Sequence, residues 1–457
     1  MRTISLLKEK TMKPLVIKDN SRIDKSTFSV IPNLTKRIAD KMLKDLENEG
    51  FFVFPEAIKK AEDLTRDQMI LQSENESYHT GNVMGFLGCG DERLIIRSRF
   101  GNDNDDYFFQ YLLKQVLDFP RVIDLKTDAN QNDEVFQFLL FLFPYYLKAA
   151  MRKGLFKTYI RRRFNDANVK GAIDVARHIK QNTPFLGKIA YDQREFSYDN
   201  PLTELIRHTI EFIRRKPYCN RLLARVKDEV MLVINATPEY EIYDRRVVIE
   251  ENKKNSVRHA YFREYLALQR LCIMILQHEK HQIGSGATEV FGILFDGAWL
   301  WEEYVDSLIK EKFYHPKNKA GQGAQYLFYR SIGPVYPDFI SRNHTNRVIA
   351  DAKYKPKNNI KSQDYLQVLA YMFRFDAKLG FYLYPEAEHE GNISNPQPLY
   401  LNSGSTYEKN TKLREDIRVI KLGLFVPQNA PNYSIFEEQL QESEKTFLAF
   451  LSKLDSL

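Results

Sequence analysis

The sequence predicts a multidomain α+β protein: a mixed, helix-rich N-terminal part followed by an α/β part built on a central mixed sheet. Three observations carry this. The chain has 457 residues, enough for about three domains at roughly 150 residues each. Its 43% hydrophobic and 28% charged residues fit a globular chain rather than a disordered or fibrous one. The hydrophobic period also changes along the chain, helical over most of Tyr107–Ile283 and mixed after the small-residue stretch Gly284-Ser285-Gly286-Ala287, which makes Gly284 the expected boundary.

The elements follow in order. Asn33–Asn75 reads as helix, strand, helix. Val83–Leu87 and Leu94–Phe100 read as two strands joined through Gly88, Gly90 and Asp91, a hairpin signal. Val135–Leu147 is the most apolar run, but Gln137 and Pro144 interrupt it. It is too short to span a bilayer and predicts a buried helix, with no membrane contact. In the last part Ala298–Phe313 and Gln363–Phe375 are expected as helices, and Tyr326–Tyr329, Val335–Ser341, Arg347–Lys355, Phe381–Tyr384 and Val419–Phe425 as strands. Ser434–Leu454 closes the chain as an amphipathic helix. The division is therefore 1–80, 81–284 and 285–457.

Composition narrows the setting. The three cysteines, Cys89, Cys219 and Cys272, are an odd number with no CxxC, so neither a disulfide framework nor a zinc ribbon is expected. Arg2, Lys8, Lys10 and Lys13 fall where a signal peptide needs an unbroken apolar run. A cytoplasmic protein is expected. The 67 Lys plus Arg against 60 Asp plus Glu leave +7, which permits a polyanionic partner.

Chemistry concentrates in Val335-Tyr336-Pro337-Asp338-Phe339-Ile340, the loop Asn343–Asn346, and Val348-Ile349-Ala350-Asp351-Ala352-Lys353-Tyr354. Two strands in a hairpin would set Asp338 beside Asp351. Side chains alternate along a strand, so Ile349, Asp351 and Lys353 share one face while Val348, Ala350 and Ala352 share the other. Such an acidic pair can hold a hard divalent cation, most naturally Mg²⁺, with the Ala352 carbonyl and waters completing an oxygen shell. Lys353 can steer or help deprotonate an attacking water and stabilise charge on a scissile phosphate. Upstream, Trp301, Val305 and Leu308 make a core stripe that turns Glu302 toward the interior, where it can reach the metal, with Glu303 as the alternative acid. Downstream, Gln367 and Tyr371 lie one helical turn apart, and Gln367 can orient water or phosphate.

Helix with Glu, Pro-Asp strand, Asp-x-Lys strand and helix with Gln, in that order, resembles the PD-(D/E)XK nuclease core. More closely, Ile293–Asp296 leading into Leu300–Val305, then Pro337-Asp338-Phe339, Asp351–Lys355 and Asp364–Tyr371, resembles the McrC nuclease subunit of McrBC-type modification-dependent restriction systems. Gly171–Ile179, Lys188–Asp192 and Asp199–Ile206 resemble the McrC segment ahead of its nuclease domain. Leu94–Gly101 resembles an N-terminal element, with Arg99 at a position usually basic and Ser98 where proline is more typical. The likeness spans about 80 to 380, and the role of the first eighty residues, which lie outside it, stays open.

The resemblance implies a DNA endonuclease subunit, with a PD-(D/E)XK restriction-endonuclease-like domain over 285–457. It also implies a partner, an McrB-like AAA+ GTPase ring whose hydrolysis the 81–284 region stimulates. The sequence holds no GxxxxGK(S/T) loop, so no nucleotide is expected on this chain itself. The basic run Arg152, Lys153, Lys157, Arg161, Arg162, Arg163, read as helical, is a candidate contact to ring or DNA, or a plain solvated face. His278 and His281 lack a third ligand by sequence. Two other readings stay open: a non-catalytic adaptor on the same fold, and a stand-alone nuclease.

Overall fold

The computed structural model describes residues 14–48, 51–54, 68–89, 92–102, 106–117, 131–216, 220–281, 290–316, 323–387, 396–405, 407 and 409–453. Two compact units result, one from 1–125 with 287–457 and one from 126–286. The expected boundary residue Gly284 and the histidine His281's neighbours from 282 on lie outside the described residues.

The first unit carries two main sheets. One has five strands: β1 (Leu15–Lys18), β2 (Phe51–Phe54), β3 (Val83–Cys89), β4 (Glu92–Arg97) and β5 (Val290–Asp296), in the order β1-β4-β3-β5-β2. The hairpin of β3 and β4 is the one the sequence predicts, antiparallel with Gly85 opposite Ile96. Gly85 sits at φ 146°, and a Cβ there would stand 2.0 Å from the Ile293 carbonyl oxygen, so only glycine lets β3 lie against β5. Beneath this sheet Phe28, Leu34, Ile38, Val83, Leu94 and Leu294 form one apolar core. Asn33–Asn75 differs in part from expectation: two short helices, Pro32–Ile38 and Leu43–Asn48, precede β2, and Leu71–Glu74 is a strand rather than helix. Its pairing with Ser77–Thr80 satisfies backbone groups that a helix would have satisfied internally.

The second sheet has six strands: β6 (Phe313–Tyr314), β7 (Phe339–Ser341), β8 (Val348–Ala352), β9 (Leu379–Glu386), β10 (Gln397–Ser403) and β11 (Lys412–Phe425), in the order β6-β7-β8-β9-β11-β10. It is mixed, with β8, β9 and β11 parallel and the edges antiparallel. The stretch Val335–Ser341 is not one strand. Ile332–Val335 pairs with Gln325–Phe328 and β7 starts afresh at Phe339, because Pro337 has no N–H to give a ladder.

Among the described residues this unit also has four longer helices: α1 (Tyr107–Leu117), α2 (Gly297–Ile309), α3 (Ser362–Arg374) and α4 (Tyr433–Lys453). Helix α2 starts where the Asp296 carboxylate accepts the Trp299 N–H at 2.9 Å. Trp301, Tyr304 and Val305 are fully buried, and the Trp301 indole donates to the Leu383 carbonyl of β9 at 3.0 Å. Helix α3 lays Val368, Tyr371 and Met372 on Ile349, Tyr382 and Val419 of the sheet.

The second unit is helical, as expected, but not throughout. Its helices include Gln131–Met151, Pro201–Arg214, Arg245–Lys254 and Glu264–His281. Asn200 caps the second of these, its amide oxygen accepting from Leu202 and Thr203 while Thr203 Oγ1 accepts the Asn200 N–H. The apolar run is a helix whose Leu140, Leu142, Phe143 and Leu147 are buried. No described helix is long and apolar enough to cross a membrane.

The basic run departs from the helical reading: Thr158–Asp166 is a strand, paired antiparallel with Ile189–Ser197. Half-buried Ile160, Arg162 and Phe164 alternate with exposed Tyr159, Arg161 and Arg163. That period of two is the strand signature which three consecutive arginines conceal. Arg162 turns inward to Glu195 at 2.7 Å and also meets Glu239, so the three arginines do not share one solvated face.

Candidate active site

The antiparallel register of β7 and β8 sets Phe339 opposite Ala350 and Ile340 opposite Ile349. One residue further along that ladder, Asp338 faces Asp351, as side-chain alternation predicts. Asp338 Oδ2 accepts the Ala352 N–H at 2.8 Å, which ties the end of one strand to the other. Asp351 is 1% exposed, whereas Asp338 keeps part of its surface open to solvent.

Lys353 closes on this pair. Its Nζ lies 2.6 Å from Asp351 Oδ2 and 3.6 Å from Asp364 Oδ1, and it donates to Gln367 Oε1 at 2.9 Å. Gln367 is held in turn, its Nε2 donating to Tyr371 Oη at 2.8 Å, and that hydroxyl donates to the Tyr336 carbonyl. Gln367 and Tyr371, one turn apart on α3, thus act as a strut behind the lysine. Glu302 of α2 is buried and close enough to raise the carboxyls of both aspartates. Glu303 turns elsewhere and accepts the Trp299 indole N–H at 3.1 Å within its own helix.

The electrostatics are those of crowded carboxylates. Burial, then the Asp351 and Glu302 carboxylates, push Asp338 well above the usual carboxylate range. Burial raises Asp351 too, although Lys353 pulls the other way. Against its own burial, Lys353 is driven further toward the ammonium form, chiefly by Asp351 and Asp338. A group held so firmly as a cation is a poor base.

Three neighbours carry no role in the reading from sequence. Asp364, at the start of α3, accepts two bonds from Lys355 Nζ, each 2.8 Å, and these hold its carboxyl low despite burial. Lys355 and Asp364 stand inside the Asp-x-Lys and helix stretches, so their spacing was a usable signal. His315, which follows β6, meets both Asp338 and Glu302, and nothing in the sequence points to it.

As the side chains stand, no three His, Cys, Asp or Glu groups among the described residues gather as a metal-holding set, and the Lys353 ammonium takes the position beside Asp351. The donor chemistry nevertheless suits a hard cation: three hard carboxylates repel one another, and a divalent ion relieves that repulsion.

Fold and cluster together define a multidomain α+β protein with an acidic, lysine-bearing site at the end of a mixed sheet. The sequence profile described as "McrBC 5-methylcytosine restriction system component" matches residues 78–385. The chain belongs to that family, which bears out the McrBC-type resemblance of its motifs. Solved structures similar to it include McrC bound to McrB AAA+ hexamers of Thermococcus gammatolerans, in a refined half-complex from a tetradecameric assembly, at 16% identity over 94% of this chain and 100% of that one, with a TM-score of 0.46. Another is the cryo-EM structure of the Thermococcus gammatolerans McrBC complex, at 13% identity over 65% of this chain and 87% of that one, TM-score 0.32. No curated protein matches the chain.

Proposed function

We propose that this chain is the DNA-cleaving subunit of a modification-dependent restriction system, a PD-(D/E)XK endonuclease that hydrolyses phosphodiesters when assembled with an AAA+ GTPase ring. Residues 285–457 supply the nuclease, and 81–284 the contacts that stimulate the partner. Family membership supports both the system and this kind of partner. The observation that carries the cutting role is the convergence of Asp338, buried Asp351 and Lys353.

Asp338, Asp351 and Glu302, with the Ala352 carbonyl, would hold Mg²⁺. The ion supplies Lewis-acid activation of water and neutralises charge on the phosphate. The protein's own groups do the rest. Lys353, fixed as an ammonium by Asp351, stabilises the negative charge that builds on the phosphate oxygens rather than taking a proton. Gln367 holds that ammonium in place through its amide oxygen, while its amide nitrogen is tied to Tyr371. Asp338, the more open carboxylate, faces the water. Water's oxygen bonds to phosphorus and the bridging P–O bond breaks; one hydrogen of the water ends on the leaving oxygen, giving the hydroxyl end, and the O–H left on phosphorus gives the phosphate end.

The test is cleavage of modified duplex DNA by the wild type and by Asp351→Ala, each with the GTPase partner, GTP and Mg²⁺. Loss of cutting in the variant supports the proposal. Equal cutting removes the enzyme reading and leaves the adaptor. Cutting by the purified chain without partner or GTP would instead identify a stand-alone nuclease.

A further inference from the structure

Strand β6 pairs antiparallel with β7, Phe313 opposite Ser341 and Tyr314 opposite Ile340. This ladder delivers the next residue, His315, to the step between Asp338 and Phe339. The imidazole lies against the Phe339 ring, centroids 5.0 Å apart. Its Nδ1 is 2.7 Å from the Asp338 carbonyl oxygen. A carbonyl only accepts, so Nδ1 carries the hydrogen. The opposite nitrogen, Nε2, is thereby directed at Glu302 Oε1, 3.6 Å away, with the two side chains only 15% and 11% exposed.

One ring therefore spans two acids that arrive from different elements, Asp338 at the head of β7 and Glu302 on α2. Packing alone would be satisfied by a phenyl ring, which has no use for either contact. We propose that His315 is a positioning residue of the site: through Nδ1 it fixes the peptide from which the Asp338 carboxylate projects, and its ring, set beside Glu302, bounds the space that carboxylate can occupy. This rests on the cleavage reading, because the acids it aligns are those proposed to hold the cation. Residues that orient metal-binding groups from behind usually change metal affinity or activity by roughly 10- to 100-fold when removed.

The test uses the full-length chain with three substitutions. His315→Phe keeps the ring and removes both nitrogens. His315→Asn restores a donor where Nδ1 stood, and His315→Gln restores a polar group near Nε2. Mn²⁺ affinity is measured by calorimetry on the chain itself, and steady-state cleavage is measured with partner, GTP and modified DNA. His315→Phe is expected to weaken Mn²⁺ binding and lower kcat by roughly 10- to 100-fold, with KM for DNA and the melting temperature close to wild type. His315→Asn should regain a large part of the loss.

Wild-type Mn²⁺ affinity and kcat in His315→Phe would overturn the inference while leaving the cutting reading intact. So would a loss that tracks melting temperature and that neither polar variant recovers. A wild type that neither binds Mn²⁺ nor cuts overturns both.

Discussion

The hydroxyls of Tyr354 and Ser98 lie 2.7 Å apart, joining positions separated by 256 residues. Tyr354 immediately follows Lys353, so the exit of the Asp-x-Lys strand is anchored at the end of β4. Arg99 strengthens the anchor: Nη2 donates to the Tyr354 carbonyl at 2.7 Å, and the guanidinium lies 4.7 Å over the tyrosine ring. Gly297 completes it, since a Cβ there would stand 2.6 Å from a ring carbon of Tyr354. The N-terminal sheet thus holds the chain segment that carries the lysine of the site.

Removing the hydroxyl should show this. Tyr354→Phe removes one of the two hydrogen bonds of the buried Ser98 hydroxyl, which still accepts the Phe100 N–H, at a cost of about 0.5–1.5 kcal/mol. Gly297→Ala forces the ring to move, at about 1–3 kcal/mol for overpacking. Denaturant unfolding measures both. An unchanged midpoint in each variant would mean the anchor contributes nothing.

Lys353→Met separates charge from bulk. Without the ammonium, Asp351 is left buried and ionised, and breaking such a pair costs about 3–5 kcal/mol. Since burial already raises the Asp351 carboxyl, protonation at lower pH relieves the penalty. The destabilisation should therefore be large at pH 8 and shrink as the solution is acidified through that raised pKa, while cleavage is lost by roughly 100- to 1000-fold. Thermal melts across pH, and single-turnover cleavage, check the two halves.

Asp19 gives a separate pH signature. Burial, opposed mainly by Arg99, pushes its carboxyl to about 7 from an ordinary 3.8. A carboxyl raised on folding binds more protons in the native state between those values. Its contribution is then fully present below the ordinary pKa and is lost as pH rises through about 7. Asp19→Asn should remove that dependence, so the wild type loses ground to the variant between pH 5 and pH 8 in paired melts. Parallel curves would show that Asp19 does not titrate in this range.

Much of the site could be read from local pattern. The alternation of Ile349, Asp351 and Lys353 and the Pro-Asp step before β7 place Asp338 beside Asp351, and the helical stripe of α2 turns Glu302 inward and leaves Glu303 to Trp299. What could not be read depends on distant partners. Val290 pairs with Cys89 and Leu15 with Leu94, registers that no local period encodes. Arg161–Arg163 hid a strand because the charge run masks the alternation of Ile160, Arg162 and Phe164. His315 lies beyond a two-residue strand, too short for any periodicity to mark it.

We propose that Asp338, Asp351 and Glu302 together bind a divalent cation. Mn²⁺ titration followed by electron paramagnetic resonance, on wild type and Asp351→Asn, tests it most directly. A saturable signal in the wild type, lost or weakened at least roughly tenfold in the variant, is the expected result. Indistinguishable titrations, or no binding by either protein at millimolar Mn²⁺, would contradict it.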